Sequence, residues 1–154
     1  MIPYNQLISA KMPILASACL LGINCRYDGG NCFLEEITKL VRYGVVIPMC
    51  PEQLAGLPTP RIPCGIVGGS GSDVLKGSAR VLAMNGQDHT AKFLKAAEEV
   101  MHLVRLYNIR AAILKQRSPS CGFGQIYRAD KIVRGNGVIA AQLLQMNLSL
   151  YAID

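Results

Sequence analysis

Three cysteines each stand just beyond a short apolar run: Cys19 ends "ILASAC", Cys50 ends "VVIPMC", and Cys121 lies in "SPSCG" after "AAILK". Thiolate is a soft ligand and a strong nucleophile, so three thiols at one place could hold an iron–sulfur cluster or a thiolate-bound zinc, or one of them could attack an electrophile. Polar groups accompany them. Arg26, Tyr27 and Asp28 follow the first run, Glu52 follows Cys50 by two residues, and Ser118 precedes Cys121 by three. A carboxylate beside a bound substrate can move a proton, and a hydroxyl can orient the substrate. Each also has a simpler reading: Asp28-Gly29 as a turn, Glu52 in a first helical turn, Ser118 as a loop cap. A buried cysteine can likewise be packing alone. The neighbourhood of all these groups, rather than any one of them, points to a site.

The remaining thiols read differently. Cys32 falls in an amphipathic segment and Cys64 in a proline-bounded loop, where packing explains them. Cys25, six residues beyond Cys19, is close enough in sequence to act as a fourth thiolate. No Cys-x-x-Cys pair occurs, which argues against a zinc ribbon or a thioredoxin-like redox pair. Neither histidine is a good ligand: His102 falls on the wet face of a helix and His89 at its entry. "SGSDVLKGS" is not a phosphate loop, because Lys76 precedes Gly77 where that motif needs glycine before lysine.

The elements that must position these residues follow from periodicity. Apolar runs at Pro13–Ala18, Val45–Met49, Ala111–Leu114 and Leu148–Ile153 read as buried strands, with a further strand over Ser78–Met84. Helical spacing predicts Cys32–Tyr43 (Phe33, Ile37, Leu40 and Val41 inward), Thr90–Tyr107 (Phe93, Ala97, Val100, Val104 and Tyr107 inward) and Gly137–Met146. "CPEQLAGLPTPRIPC" is stiffened by prolines, and "GIVGGSGSDVLKGSARV" is flexible by composition. Alternating strands and helices imply one three-layer α/β domain over residues 1–154, a mostly parallel sheet with helices on both faces. In such sheets ligands bind outside the carboxyl ends of the strands, so cysteines about 30 and 70 residues apart in sequence can meet at one edge.

Composition sets the bounds. The chain is 51% hydrophobic and 17% charged, with mean hydropathy +0.27. That is enough to bury a sizeable core, while the apolar runs break well short of the roughly 20 residues a bilayer span needs. Net charge is +6, mildly basic, but the basic residues are scattered and nine aromatics give little stacking surface, so a nucleic-acid footprint is weak. "ILASAC" superficially suggests a lipoprotein signal. Its short lead-in with only Lys11, and the apolar run continuing through Leu21, favour a cytoplasmic protein. Six cysteines without a convincing secretion signal fit metal or thiol chemistry better than a disulfide framework.

"SACLLGINCRYDGG", "CPEQLAGLPTPR" and "LKQRSPSCG", in that order, resemble a bacterial family once catalogued as a domain of unknown function and now associated with iron–sulfur thiouracil desulfidases. The likeness runs from about Ile14 to Leu144 and includes "GSDV" and "GNGVIAAQLL". It implies a [4Fe-4S] cluster held by Cys19, Cys50 and Cys121 with the fourth iron open, and Glu52 and Ser118 as catalytic residues. Asp28 is implied more weakly, for positioning or proton transfer. It also implies a non-redox exchange in which sulfur leaves as sulfide, the substrate being thiouracil as free base, in a nucleoside or in tRNA. The family tolerates an aliphatic residue at Cys25. Three positions depart from its pattern: Gly65 for an acidic residue, Ile139 for threonine, and Ala129 where a small acidic turn is expected. Two other functions remain open on the residues themselves: a non-catalytic protein with a closed cysteine site holding zinc or a cluster, and an enzyme using Cys121 as nucleophile. Oligomeric state is not legible.

Overall fold

A computed structural model describes residues 6, 11–128 and 130–154. Four strands, β1 (Ile14–Ser17), β2 (Val46–Met49), β5 (Ala111–Lys115) and β8 (Ser149–Ile153), form a wholly parallel sheet in the order β2-β1-β5-β8. Side chains alternate across it, as a strand's period of two requires. Leu15, Ala112, Leu114 and Leu150 enter the larger core on one face, and Ile14, Ile113, Tyr151 and Ile153 the smaller core on the other. Burial on both faces is why the two central strands, β1 and β5, read as continuously apolar.

Helices cover both faces. The larger core takes Phe93, Ala97, Val100 and Val104 from α4 (Thr90–Leu106) and Val138, Ile139, Ala140 and Leu143 from α5 (Val138–Gln145). The smaller core takes Cys19 and Leu20 from a 3₁₀ turn, Ala18–Leu21, and Ile37 and Leu40 from α1 (Glu35–Leu40). A four-residue helix, α2 (Pro51–Leu54), follows β2, with Pro51 in its first turn where the missing N–H costs nothing. The architecture is α/β, a parallel four-stranded central sheet with helices on both faces. No helix among the described residues is long and apolar enough to cross a membrane.

Several local expectations are corrected. The helix expected over Cys32–Tyr43 is shorter at both ends. The N–H groups of Cys32 and Leu34 are committed to the carbonyls of Cys19 and Leu20 at 2.9 and 3.0 Å, so residues 32–34 run extended along the 3₁₀ turn. Phe33 is consequently 52% exposed rather than core, and Val41 and Tyr107 are exposed as well. Cys32 lies in that connecting loop, not in a helix. The glycine-rich stretch is ordered into a strand and a helix, β3 (Cys64–Val67) and α3 (Gly71–Lys76). A capping box closes the helix start: Ser70 and Asp73 satisfy each other's backbone N–H groups. β3 pairs antiparallel with β4 (Arg80–Ala83), and a second hairpin joins β6 (Gln125–Arg128) to β7 (Lys131–Arg134). Ala129 lies outside the described residues.

Candidate active site at the carboxyl edge of the sheet

β1 and β5 are neighbours, yet the chain leaves β1 toward β2 on one side and returns to β5 on the other. This reversal opens a crevice at the strands' carboxyl ends. A cavity of about 470 Å³ lies there, and its wall includes Cys19, Cys50, Cys121, Glu52 and Ser118. The three strand-end thiols and two of the three proposed catalytic side chains therefore share one space. Asp28 does not join them: it is exposed, and its Oδ1 accepts the Gly30 N–H at 2.9 Å, closing a local turn.

Each thiol has its own local support. Cys19 sits in the 3₁₀ turn that continues β1. Cys50 precedes α2 with extended backbone (φ −117°, ψ 110°), which aims its side chain off the end of β2. Cys121 follows β5 in the tight turn Ser118–Gly122, where the Gly122 N–H donates to the Ser118 carbonyl at 2.9 Å. Any side chain on Gly122 would strike the carbonyls of Gln125 and Ser118. The Pro119 and Ser120 carbonyls accept the first N–H groups of α5, from Val138 and Ile139, each at 2.9 Å. A Cβ on Gly137 would run into the Ser120 carbonyl, so that contact demands glycine.

Glu52 is fixed from two sides. Arg61 Nε lies 3.4 Å from its Oε1, and the Ser120 hydroxyl donates to its Oε2 at 3.2 Å. The Arg61 guanidinium also reaches the Cys25 carbonyl at 2.8 Å and approaches Cys50 Sγ at 4.0 Å. Ser118 Oγ accepts the N–H groups of Ser120 and Cys121, both at 3.0 Å, and lies 2.8 Å from Ser120 Oγ. Arg61 and Ser120 were missed by sequence reasoning, although both lie inside the blocks "CPEQLAGLPTPR" and "LKQRSPSCG". A polar residue one position from a cysteine carries no signal of direction; only the turn reveals that Ser120 faces Glu52.

The other thiols divide. Cys25 is buried and lines the cavity, and its backbone carbonyl accepts from the Cys50 thiol at 3.6 Å. Cys64 lines the wall near Glu52, beside Gly65. Cys32 is not part of the wall; its sulfur accepts from Arg26 Nη1 at 2.7 Å. Burial, followed by the neighbouring Cys32 and Cys50 thiols, pushes Cys19 up to about 11. Burial, followed by Cys50 and Cys19, pushes Cys25 up to about 12. Burial likewise holds the Cys121 thiol far above the usual cysteine range, although Ser17 and Ser120 hydroxyls pull the other way.

This donor set suits a metal centre. Buried thiols held protonated are poor nucleophiles, and a bound cation supplies the charge that deprotonates a ligating thiol. Among the described residues no three His, Cys, Asp or Glu side chains close on a single-ion position. A cluster instead spreads its thiolates over different irons, which matches thiols disposed around a cavity.

Comparisons with known proteins place the chain as a whole. An uncharacterised protein of Bacillus subtilis (strain 168), YbbK, is 44% identical over 135 residues, which cover 86% of this chain and 89% of YbbK. The solved structure of a [4Fe-4S]-dependent thiouracil desulfidase, TudS, superposes with a TM-score of 0.81 at 34% identity, covering 92% of this chain and 90% of that one. Residues 14–154 match the 2-thiouracil desulfurase family, and the chain belongs to that family.

Proposed function

We propose that this protein removes sulfur from thiouracil, carried as the free base or within a thiolated nucleoside or tRNA, and releases it as sulfide. The reading holds that Cys19, Cys50 and Cys121 bind a [4Fe-4S] cluster and leave one iron without a protein ligand. The observation that carries it is the meeting of these three thiols with Glu52 and Ser118 around one cavity. Family membership and the likeness to TudS support it.

When bound, the cluster supplies a soft Lewis-acidic iron suited to a thiocarbonyl sulfur. The protein's own residues do the rest. Glu52, held by Arg61 and Ser120, accepts a proton from the water whose oxygen replaces sulfur. Ser118 at the wall orients the ring. The half-buried site keeps the carboxylate partly desolvated, which strengthens its interactions with what it touches. Asp28 forms the turn that carries Arg26 and Tyr27 to the cavity rim.

Anaerobic reconstitution with iron and sulfide tests the reading. Brown protein with about four irons per chain and broad absorbance near 400 nm, a cluster signature, should release sulfide from 2-thiouracil or 4-thiouridine. Loaded protein that releases none from either substrate overturns the activity. A colourless protein binding a single zinc favours the closed, non-catalytic site.

A further inference from the structure

We infer that Lys115 supplies the counter-charge for the thiolates that hold the cluster; this rests on the cluster reading above. The cavity wall carries the cations Arg26, Arg61, Lys115 and Arg117. Arg61 is spent on Glu52 and the Cys25 carbonyl, Arg117 on Asp154, and Arg26 on the Cys32 sulfur. Among the described residues, the Lys115 ammonium has no ion pair and no hydrogen bond.

Strand geometry sets where that charge goes. Alternation along β5 sends Ala112 and Leu114 into the larger core and Ile113 into the smaller one. Lys115 lies two residues beyond Ile113, so it projects on the same face. Its parallel partner on β8, Ile153, also packs on the smaller core. Cys19, Cys25, Cys32 and Cys50 belong to that side of the sheet. The strand end is fixed on both flanks: the Lys115 N–H donates to Ser17 Oγ at 2.9 Å, and the Gln116 N–H to the Ile153 carbonyl at 2.7 Å. Lys115 thus leaves a held strand end, half-buried, on the thiol side of the cavity. Its charge is felt at Cys19. Burial raises that thiol, Cys32 and Cys50 add to the rise, and Arg26 and Lys115 pull against it.

An ammonium held partly out of water without an anion is costly. The wall's carboxylates are engaged elsewhere or wet: Glu52 is held by Arg61 and Ser120, and Asp130 is exposed. Three thiolates on a dipositive [4Fe-4S] core leave one net negative charge, which is the missing anion. Lys115 then offsets charge that would blunt the open iron's pull on a thiocarbonyl sulfur. It also favours the reduced, more negative form, because net charge helps set such potentials. Lys115 touches no reacting atom in this scheme; it acts through the thiolates.

The test compares wild type, K115M, K115Q, K115R and R117Q, metal-free and reconstituted, by iron content, reduction potential and thermal melting. K115M keeps the stem and drops the charge, and K115Q carries the result if K115M does not fold. The reduced-to-oxidised ratio of K115M at a fixed applied potential should fall by about 3- to 10-fold, tenfold being about 59 mV for one electron. K115R, which keeps the charge, should stay close to wild type. R117Q removes a cation from the same wall, but one already balanced by Asp154, and should shift the potential less. Melting separates charge from packing. Without metal, K115M should melt no lower than wild type, because an unpaired half-buried charge is gone; once loaded, it should melt lower. A wild-type potential in loaded K115M, or equal losses in melting temperature with and without metal, overturns the counter-charge role. A wild type that loads no iron overturns both this role and the cluster reading. A loaded wild type that releases no sulfide overturns the desulfidase activity alone.

Discussion

Arg61 Nε stands 3.4 Å from Glu52 Oε1, with the two side chains only 4% and 13% exposed. The same guanidinium satisfies the Cys25 carbonyl. One side chain thus ties the loop after β1 to the helix after β2 and aims the carboxylate between them. Removing it strands a buried carbonyl and a nearly buried carboxylate. Arg61→Gln is expected to lower stability by about 1–3 kcal/mol and activity by about 100-fold. Arg61→Lys should recover little, because an ammonium cannot span a carboxylate and a carbonyl as a planar fork does. Thermal melts and sulfide-release rates check both.

The three strand-end thiols are expected to be indispensable for iron. Cys19→Ser, Cys50→Ser and Cys121→Ser should each abolish cluster assembly, whereas Cys32→Ser and Cys64→Ser should load normally. Iron per chain after anaerobic reconstitution decides this. Full loading of Cys50→Ser would end the three-thiolate arrangement.

Cys25 lines the same cavity, and its carbonyl accepts from the Cys50 thiol. A fourth permanent thiolate would leave no iron free for substrate. Cys25→Val is nearly isosteric and apolar, so it should cost under about 1.5 kcal/mol and leave iron content and sulfide release close to wild type. Loss of the cluster in this variant would make the site a closed one.

The cluster-free chain should respond to alkali. Burial raises Cys19 to about 11 and Cys25 to about 12, so the folded state holds protons that the unfolded chain releases near 9. Stability from this source is complete below pH 9 and is lost as pH rises toward 11 and 12. Denaturant melts of metal-free protein between pH 8 and 11, values spanning the ordinary thiol range, should show that decline. Cys19→Ser should flatten it relative to wild type, which corrects for tyrosine and lysine titration. Equal slopes would show that these thiols are not held protonated by the fold.

Gly65 lines the cavity and has no heavy atom within 4 Å of where a Cβ would stand. An acidic side chain, as the resemblance leads one to expect there, would project into open space rather than clash. Gly65→Glu should therefore fold and bind iron normally but narrow the cavity. The expected outcome is a kcat/KM for 4-thiouridine reduced roughly 10-fold relative to 2-thiouracil, the scale of a modest pocket misfit. An unchanged ratio would show that this wall does not meet the substrate.

The central strands were legible because burial on both faces leaves only apolar residues to write them, and α4 because its buried stripe from Phe93 to Val104 spans about three turns. The convergence of Cys19, Cys50 and Cys121 followed from parallel strands sharing one carboxyl edge. What failed was local. Phe33 carries helical spacing, but its loop is pinned to the carbonyls of the preceding turn, a contact that no periodicity records. β3 and α3 hid inside a glycine-rich stretch because a capping box and a pairing partner, not composition, order them. Asp28 looked chemical by sequence proximity, yet it is exposed outside the cavity wall and its Oδ1 accepts the Gly30 N–H. Arg61 was invisible for the opposite reason: its partners come from residues 25, 50 and 52, and only the fold brings them together.

The carbonyls of Pro119 and Ser120 cap the first turn of α5, and Gly137 lies flush against them. The loop bearing Cys121 and the segment "GNGV" therefore behave as a single part with two addresses in the sequence. Exchange of residues 118–122 between relatives without residues 135–139 would leave a helix without its cap or a loop without its rest. Chimeras that move both pieces together should fold, and drift at one address constrains what the other can become.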